Sequence, residues 1–227
     1  TTLGDLTGDG IPEVAFGRIP IKSVEEGLAY INKLSNYESG IGVKPSLLLA
    51  DDSDKGGNFE FSNHQVKQEV LGETIVLDLS TSTSNEVRSR LFDELNNTGL
   101  RMINYVGHGG LGTVAAEGLI KSSDVEDMSN LVTPTFVGLT CLINNYSAPY
   151  NDGLGERIVV QTEAGIVASW SASGESYNDE ATIIGIEFQK EQGNHERLGD
   201  AIIATFQSQP FLIPIYTLMG DPALVIQ

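Results

Sequence analysis

At 227 residues, 40% of them apolar and 25 of them glycine, the chain is long enough to bury a sizeable core and has the composition of a globular domain. Its net charge of −18, from 31 acidic against 13 basic residues, disfavours nucleic acid and anionic membrane as partners and favours cations and basic peptides. No apolar run reaches the roughly 18 residues a membrane span needs, and one cysteine excludes an internal disulfide framework.

The chain opens on Thr1-Thr2-Leu3-Gly4, with neither an initiator Met nor a signal-peptide pattern, as expected of a processed chain or a piece of a longer protein. The stretch "GDLTGDGIPEV" (4–14) then sets Asp5, Thr7 and Asp9 at alternate positions, followed by Gly10 and Glu13. Oxygens at such spacing converge on calcium, with the glycine permitting the turn. Phe16 stands where a full EF-hand has its bidentate acid, so a plain Asp-Gly turn is the alternative.

"EVAFGRI" (13–19) reads as a strand. "SVEEGLAYINKLSNYE" (23–38) reads as a helix with Ser23 as N-cap, Glu26 completing a capping box, and Val24, Leu28, Ile31 and Leu34 on one face. "SLLLAD" (46–51) is a buried strand, 64–72 a helix, "TIVLDL" (74–79) a strand, and 85–97 a helix with Gly99 just beyond it. "LRMINYVGHGG" (100–110) carries a strand into a glycine-rich turn. A helix follows over 121–129, then the strand "TPTFVGLTC" (133–141), a helix over 153–163, the strand "AGIVASWS" (164–171) and helices over 179–191 and 196–207. Apolar strands alternating with helices define an α/β fold, a three-layer sandwich with a mostly parallel central sheet.

Two residues stand out for chemistry. His108 sits between glycines where one strand stops, and Cys141 ends another, 33 residues later. Open α/β sheets bind ligands beyond the carboxyl ends of their strands. If these two strands are neighbours, an imidazole meets a thiol there, the arrangement nucleophilic catalysis needs. The Gly109 and Cys141 amides would hold the oxyanion, each such donor contributing about 2.7–4 kcal/mol. A lone cysteine is more often inert packing; the Gly-His-Gly-Gly setting and the matched topology favour catalysis.

The chain resembles the gingipain-like cysteine peptidases, which share the caspase-like fold. The likeness is carried in order by "EVAFGRIPIKSVEEGLAYINKLSNYE", "INYVGHGG", "FVGLTCLINNY", "GIVASWSASGES" and "YTLMGDPALVI", and runs nearly end to end. It implies one catalytic domain over 1–227, other domains in a precursor, a secreted or cell-surface bacterial location, and cleavage of a protein or peptide substrate. It implies that Cys141 attacks the scissile carbonyl and that His108 protonates the leaving amine. The family orients its histidine with a glutamate after the strand equivalent to 46–51; here Asp51, Asp52 or Asp54 would serve instead.

Arg-specific members pair the P1 side chain with an acid beyond that same strand. This sequence offers Asn63, with Glu60 nearby. The second wall would run from Trp170 through Ser171, Ser173 and Glu175 to Asp179. Acids there would favour Arg or Lys at P1. His64 and His195 read as surface residues without metal-ligand spacing. Two further functions share the pattern: a processing transpeptidase that passes the acyl-enzyme to an amine, and an inactive binding domain that has kept the fold.

Overall fold

The protein is described by a computed structural model covering residues 2–40 and 44–226; Thr1 and Gln227, the ends of the expected single domain, lie outside the described residues. Four apolar runs become strands of one sheet buried at every position: β1 (Ser46–Ala50), β3 (Met102–Val106), β7 (Thr135–Leu139) and β8 (Ala168–Ala172). The half-buried β2 (Thr74–Asp78) and the buried β9 (Tyr216–Met219) complete it in the order β2-β1-β3-β7-β8-β9. All pairs are parallel except β8–β9. Continuous burial is what a parallel sheet covered on both faces requires. This is the expected three-layer α/β architecture.

Two apolar cores lie on either side of the sheet. One is filled by α2 (Phe59–Lys67), α5 (Asn178–Asn194) and α6 (Leu198–Ser208) around Trp170, which stacks on Phe188 at 4.3 Å and meets Tyr216 at 5.2 Å. The other is filled by α3 (Ser84–Asp93) and α4 (Leu154–Val160) with part of α1 (Val24–Gly40). The helix expected over 85–97 continues α3 as a π-turn over Glu94–Thr98, closed by Gly99 at φ 74°, where glycine carries no Cβ penalty.

Three expectations are corrected. Residues 13–19 do not form a strand: Arg18 alone bridges Met219, its N–H donating to Leu218 O at 2.9 Å and its carbonyl accepting from Gly220 at 2.8 Å. The crossover from β3 to β7 holds no α-helix. Short strands β4 (Gly109–Gly110), β5 (Thr113–Val114) and β6 (Ile120–Lys121) form a separate antiparallel sheet, followed by a 3-10 turn over Ser122–Asp127.

The third concerns α1. Ser23 Oγ accepts from the Glu26 N–H as the capping motif predicts, yet Val24, Leu28 and Ile31 face outward, 81%, 60% and 57% exposed. The inward face is Tyr30, Lys33 and Tyr37. Lys33 Nζ donates to the carbonyls of Val159, Ala164 and Ile166, tying the end of α4 to the approach to β8. Burial pulls its ammonium down to about 7, while three carbonyl acceptors oppose that loss of charge.

Candidate active site

The register of the sheet brings the site together. Ala50 pairs with Val106 and Val106 with Leu139, so the chains leaving β1, β3 and β7 emerge side by side. Asp51, His108 and Cys141 lie within two residues of these strand ends. His108 and Cys141 line one cleft of about 340 Å³. Gly109 has a steric reason: a side chain there would run into the Thr140 hydroxyl and the Cys141 carbonyl, so only glycine lets the two turns approach.

The histidine turn is held by carboxylates. Asp51, 1% exposed, accepts the His108 backbone N–H at 2.9 Å through Oδ2 and the Asp52 N–H at 3.0 Å through Oδ1. The Tyr105 hydroxyl is shared between Asp51 Oδ2 at 3.1 Å and the His108 carbonyl at 2.7 Å. Burial pushes the Asp51 carboxyl up, against the pull of those donors, and the nearby Glu117 raises it further. Asp54 meets the ring: its Oδ1 lies 3.2 Å from His108 Nε2. The Gly56 N–H first, and then His108, hold the exposed Asp54 carboxyl below the usual carboxylate range. Phe59 packs edge-on against the imidazole at 5.0 Å, and a side chain at Gly56 would strike the ring. Asp51 thus fixes the turn and Asp54 touches the ring, while Asp52 stands exposed.

Neutral groups hold the cysteine turn. The Ser176 N–H donates to Cys141 Sγ at 3.3 Å, and the thiol lies 3.4 Å from the Ser176 carbonyl. Leu142 takes a left-handed φ of 60°, uncommon for a branched side chain, with its N–H donating to Gly174 O at 3.1 Å. Asn144, wholly buried, donates from Nδ2 to Ser169 O and Thr217 O, each at 2.9 Å, and accepts from Ser169 Oγ at 2.8 Å. That one amide ties the turn after β7 to both β8 and β9.

The Gly109 amide is available to a substrate. The Ala115 N–H donates to His108 O, and Gly109 faces Val114 at the next position of the antiparallel ladder. Alternation makes this a non-hydrogen-bonded pair, so the Gly109 N–H points out of the ladder.

The wall expected from Trp170, Ser171 and Ser173 is corrected. Trp170 is 1% exposed in the core, Ser171 Oγ donates to Gly138 O within the sheet, and Ser173 Oγ donates to Ile215 O. Glu175 does line the cleft, with Ser176, Tyr177 and Asn178 from the same expected stretch. Asn63 is buried and, with Glu60 and His64, lines a different cleft of about 440 Å³ between α2 and β2. His195 pairs with Glu191 at 3.2 Å. In loop 4–14 the carboxylates of Asp5, Asp9 and Glu13 converge, an oxygen from each lying within 4.8 Å of the others. Asp5 also accepts from Gly8 and Gly10, and Thr7 Oγ1 donates to Glu13.

A caspase-like α/β fold with histidine and cysteine at adjacent strand ends defines a class of cysteine peptidases. The sequence model of peptidase family C25 matches residues 1–227, and the chain belongs to that family, a cysteine-type peptidase. Among solved structures it is similar to the Arg-specific cysteine proteinase gingipain R (RgpB), at 17% identity and a TM-score of 0.79, covering 97% of this chain and 57% of that one. It is also similar to the complex of the pro- and mature domains of RgpB from Porphyromonas gingivalis, at 16% identity and 0.81, covering 99% and 59%. A more distant likeness is the separase–securin complex of Saccharomyces cerevisiae, at 13% identity and 0.59, covering 86% and 13%. The chain therefore spans under three-fifths of the gingipain chains it matches. No curated protein matches it.

Proposed function

We propose that this chain carries the catalytic dyad of a cysteine endopeptidase, with Cys141 as nucleophile and His108 as general acid and base. The observation that carries the reading is that both residues line one cleft, on turns held from behind by Asp51 and Asn144.

Cys141 gives its proton to the imidazole, and Sγ forms a bond to the scissile carbonyl carbon. The oxyanion that develops lies against the amides of Gly109 and Cys141. As the C–N bond breaks, His108 returns the proton to the leaving amine, leaving a thioester. His108 then takes a proton from water, whose oxygen attacks the thioester carbon, and the C–S bond breaks to restore the thiol. An amine in place of that water would turn hydrolysis into transpeptidation, with the same residues in the same roles. Asp54, 3.2 Å from Nε2, steadies the imidazolium.

The Arg or Lys preference implied by the resemblance has Glu175 as its one carboxylate among the cleft-lining residues, and that side chain is exposed. We also propose that loop 4–14 takes a structural calcium through Asp5, Asp9 and Glu13, with Thr7 bracing Glu13. Secretion or surface display by a bacterium, and further domains in a precursor, complete the reading; among the described residues no helix is long and apolar enough to cross a membrane.

The test is cleavage of a fluorogenic peptide library varied at P1, with wild type and Cys141→Ala, each in calcium and in chelator. Cleavage that vanishes in the variant supports the dyad. Equal cleavage by both proteins sinks it. A melting temperature that chelator leaves unmoved removes the calcium site.

A further inference from the structure

We infer that the cleft selects an uncharged P1 side chain, and that Asn178 is the residue that sets this preference. The inference rests on the peptidase reading of Cys141. It concerns which acyl group the thiol accepts.

A P1 side chain leaving a carbonyl seated at Cys141, between the two lips, has the inner cleft to enter. That space is bounded by Phe59 and Leu139, both at most 3% exposed, and by Asn178 at the start of α5. Its wall is apolar and neutral, with Thr140 and Ser176 beside the Asn178 amide. The one carboxylate lining this cleft is Glu175. Glu175 is exposed, and Asp54 is exposed and engaged with the His108 ring. Asp51 is buried behind the turn, with its oxygens taken up by His108, Tyr105 and Asp52. Asp179 and Glu180 are exposed on α5. Glu60 and Asn63 line the other cleft.

The polar group of the wall contributed by α5 is an amide. Asn178 Nδ2 donates to Ser62 Oγ at 3.0 Å, and Ser62 is itself 4% exposed. Gly57 lies against the same amide so closely that a side chain there would collide with it. Asn178 is thus fixed between α2 and loop 51–58, and whichever end of its amide meets Ser62, it presents no net charge.

A guanidinium or ammonium entering this wall would leave water with no buried countercharge, only the exposed Glu175, which is the expensive case of burial. The net charge of −18 does not repair this. Exposed charges act over about a Debye length, roughly 8 Å at physiological salt, and bias encounter more than the seated state. A neutral side chain meets apolar contacts and neutral polar groups.

The experiment uses active-site-directed acyloxymethyl ketone peptides that differ at P1 and alkylate the nucleophilic thiol, so preference is read without turnover. The rate of Cys141 labelling is measured by intact mass for Leu, Phe, Gln, Asn, Arg and Lys probes. Wild type is expected to label with its best neutral probe at least about tenfold faster than with Arg or Lys. Asn178→Asp keeps the bond to Ser62, now with the hydroxyl donating, and is expected to move that ratio at least about tenfold towards the basic probes. Faster labelling of wild type by Arg or Lys overturns the inference and leaves the dyad standing. A folded Asn178→Asp with an unchanged ratio removes Asn178 as the determinant. If that variant does not fold, the wild-type ranking alone decides. Failure of every probe to label Cys141 sinks the peptidase reading and the P1 preference with it.

Discussion

The two lips of the cleft are built with different chemistry. The histidine lip is held by ionisable groups: Asp51 behind the backbone, Asp54 at the ring, and Tyr105 shared between Asp51 and the His108 carbonyl. The cysteine lip is held by backbone amides and by Asn144, none of which titrates. The difference separates two tasks. In the proposed dyad the nucleophile must keep its position at any pH, whereas the base works through a proton and sits among groups whose charge sets its orientation. The histidine lip should therefore respond to pH and the cysteine lip should not.

The largest test of this division is removal of the reacting groups. Cys141→Ala or His108→Ala should each lower kcat by at least about 10⁴ with little change in melting temperature. A His108 variant of near wild-type activity would break the pairing of the lips. Asn144→Ala should come next, costing about 3 kcal/mol in denaturant unfolding, because two buried carbonyls and a serine hydroxyl lose their partner. Its unfolding midpoint should shift equally at every pH, and a pH-dependent shift would contradict the neutral lip.

Asp51→Asn should slow labelling of Cys141 by about tenfold to a hundredfold, since Oδ2 now serves two donors and an amide nitrogen cannot. It should also alter stability against pH. Burial raises the folded-state pKa of Asp51, so the folded chain holds that proton more readily than the unfolded chain. Stability from this group is present below its usual pKa and declines as pH rises through the raised one; the Asn variant should lack that slope. Asp54→Asn should have the smallest effect, a loss of about fivefold in kcat/KM and no change in melting temperature, because the side chain is exposed. The depressed Asp54 carboxyl keeps its charge until pH falls below the usual carboxylate range, so its support of His108 should be the last to fade in acid.

Much of this was legible in the sequence, for identifiable reasons. Strands 46–50, 102–106 and 135–139 read as continuous apolar runs because they are buried on both faces, and their order along the chain placed His108 and Cys141 at one end of the sheet. Gly109 signalled itself by standing where only a glycine fits between two turns. The rest depended on distant contacts. The apolar spacing of α1 marks a face correctly, but which way that face turns is set by Tyr30 and Lys33, whose partners lie over 120 residues away. Trp170 looked available for a pocket because nothing local shows Phe188 and Tyr216 closing over it. Asn144 gave no signal, and Asn178 fell inside the expected 170–179 wall without standing out, since a buried amide declares itself only through the carbonyl or hydroxyl it meets.

The bridge at Arg18 also bears on how safely the molecule can be handled. A strand with one unpaired side offers its free N–H and C=O groups as a template for another chain. Beside β9, Arg18 occupies that side through the Leu218 carbonyl and the Gly220 amide, and the Arg18 guanidinium stacks over Tyr146 at 4.9 Å, a second attachment on the loop after Cys141. Trimming the chain past residue 18 would uncover a flat, apolar β9 beside the nucleophile's own strand pair. Aggregation of such a truncated form would begin there, by strand addition, while the catalytic cleft at the other end of the neighbouring strands was still intact.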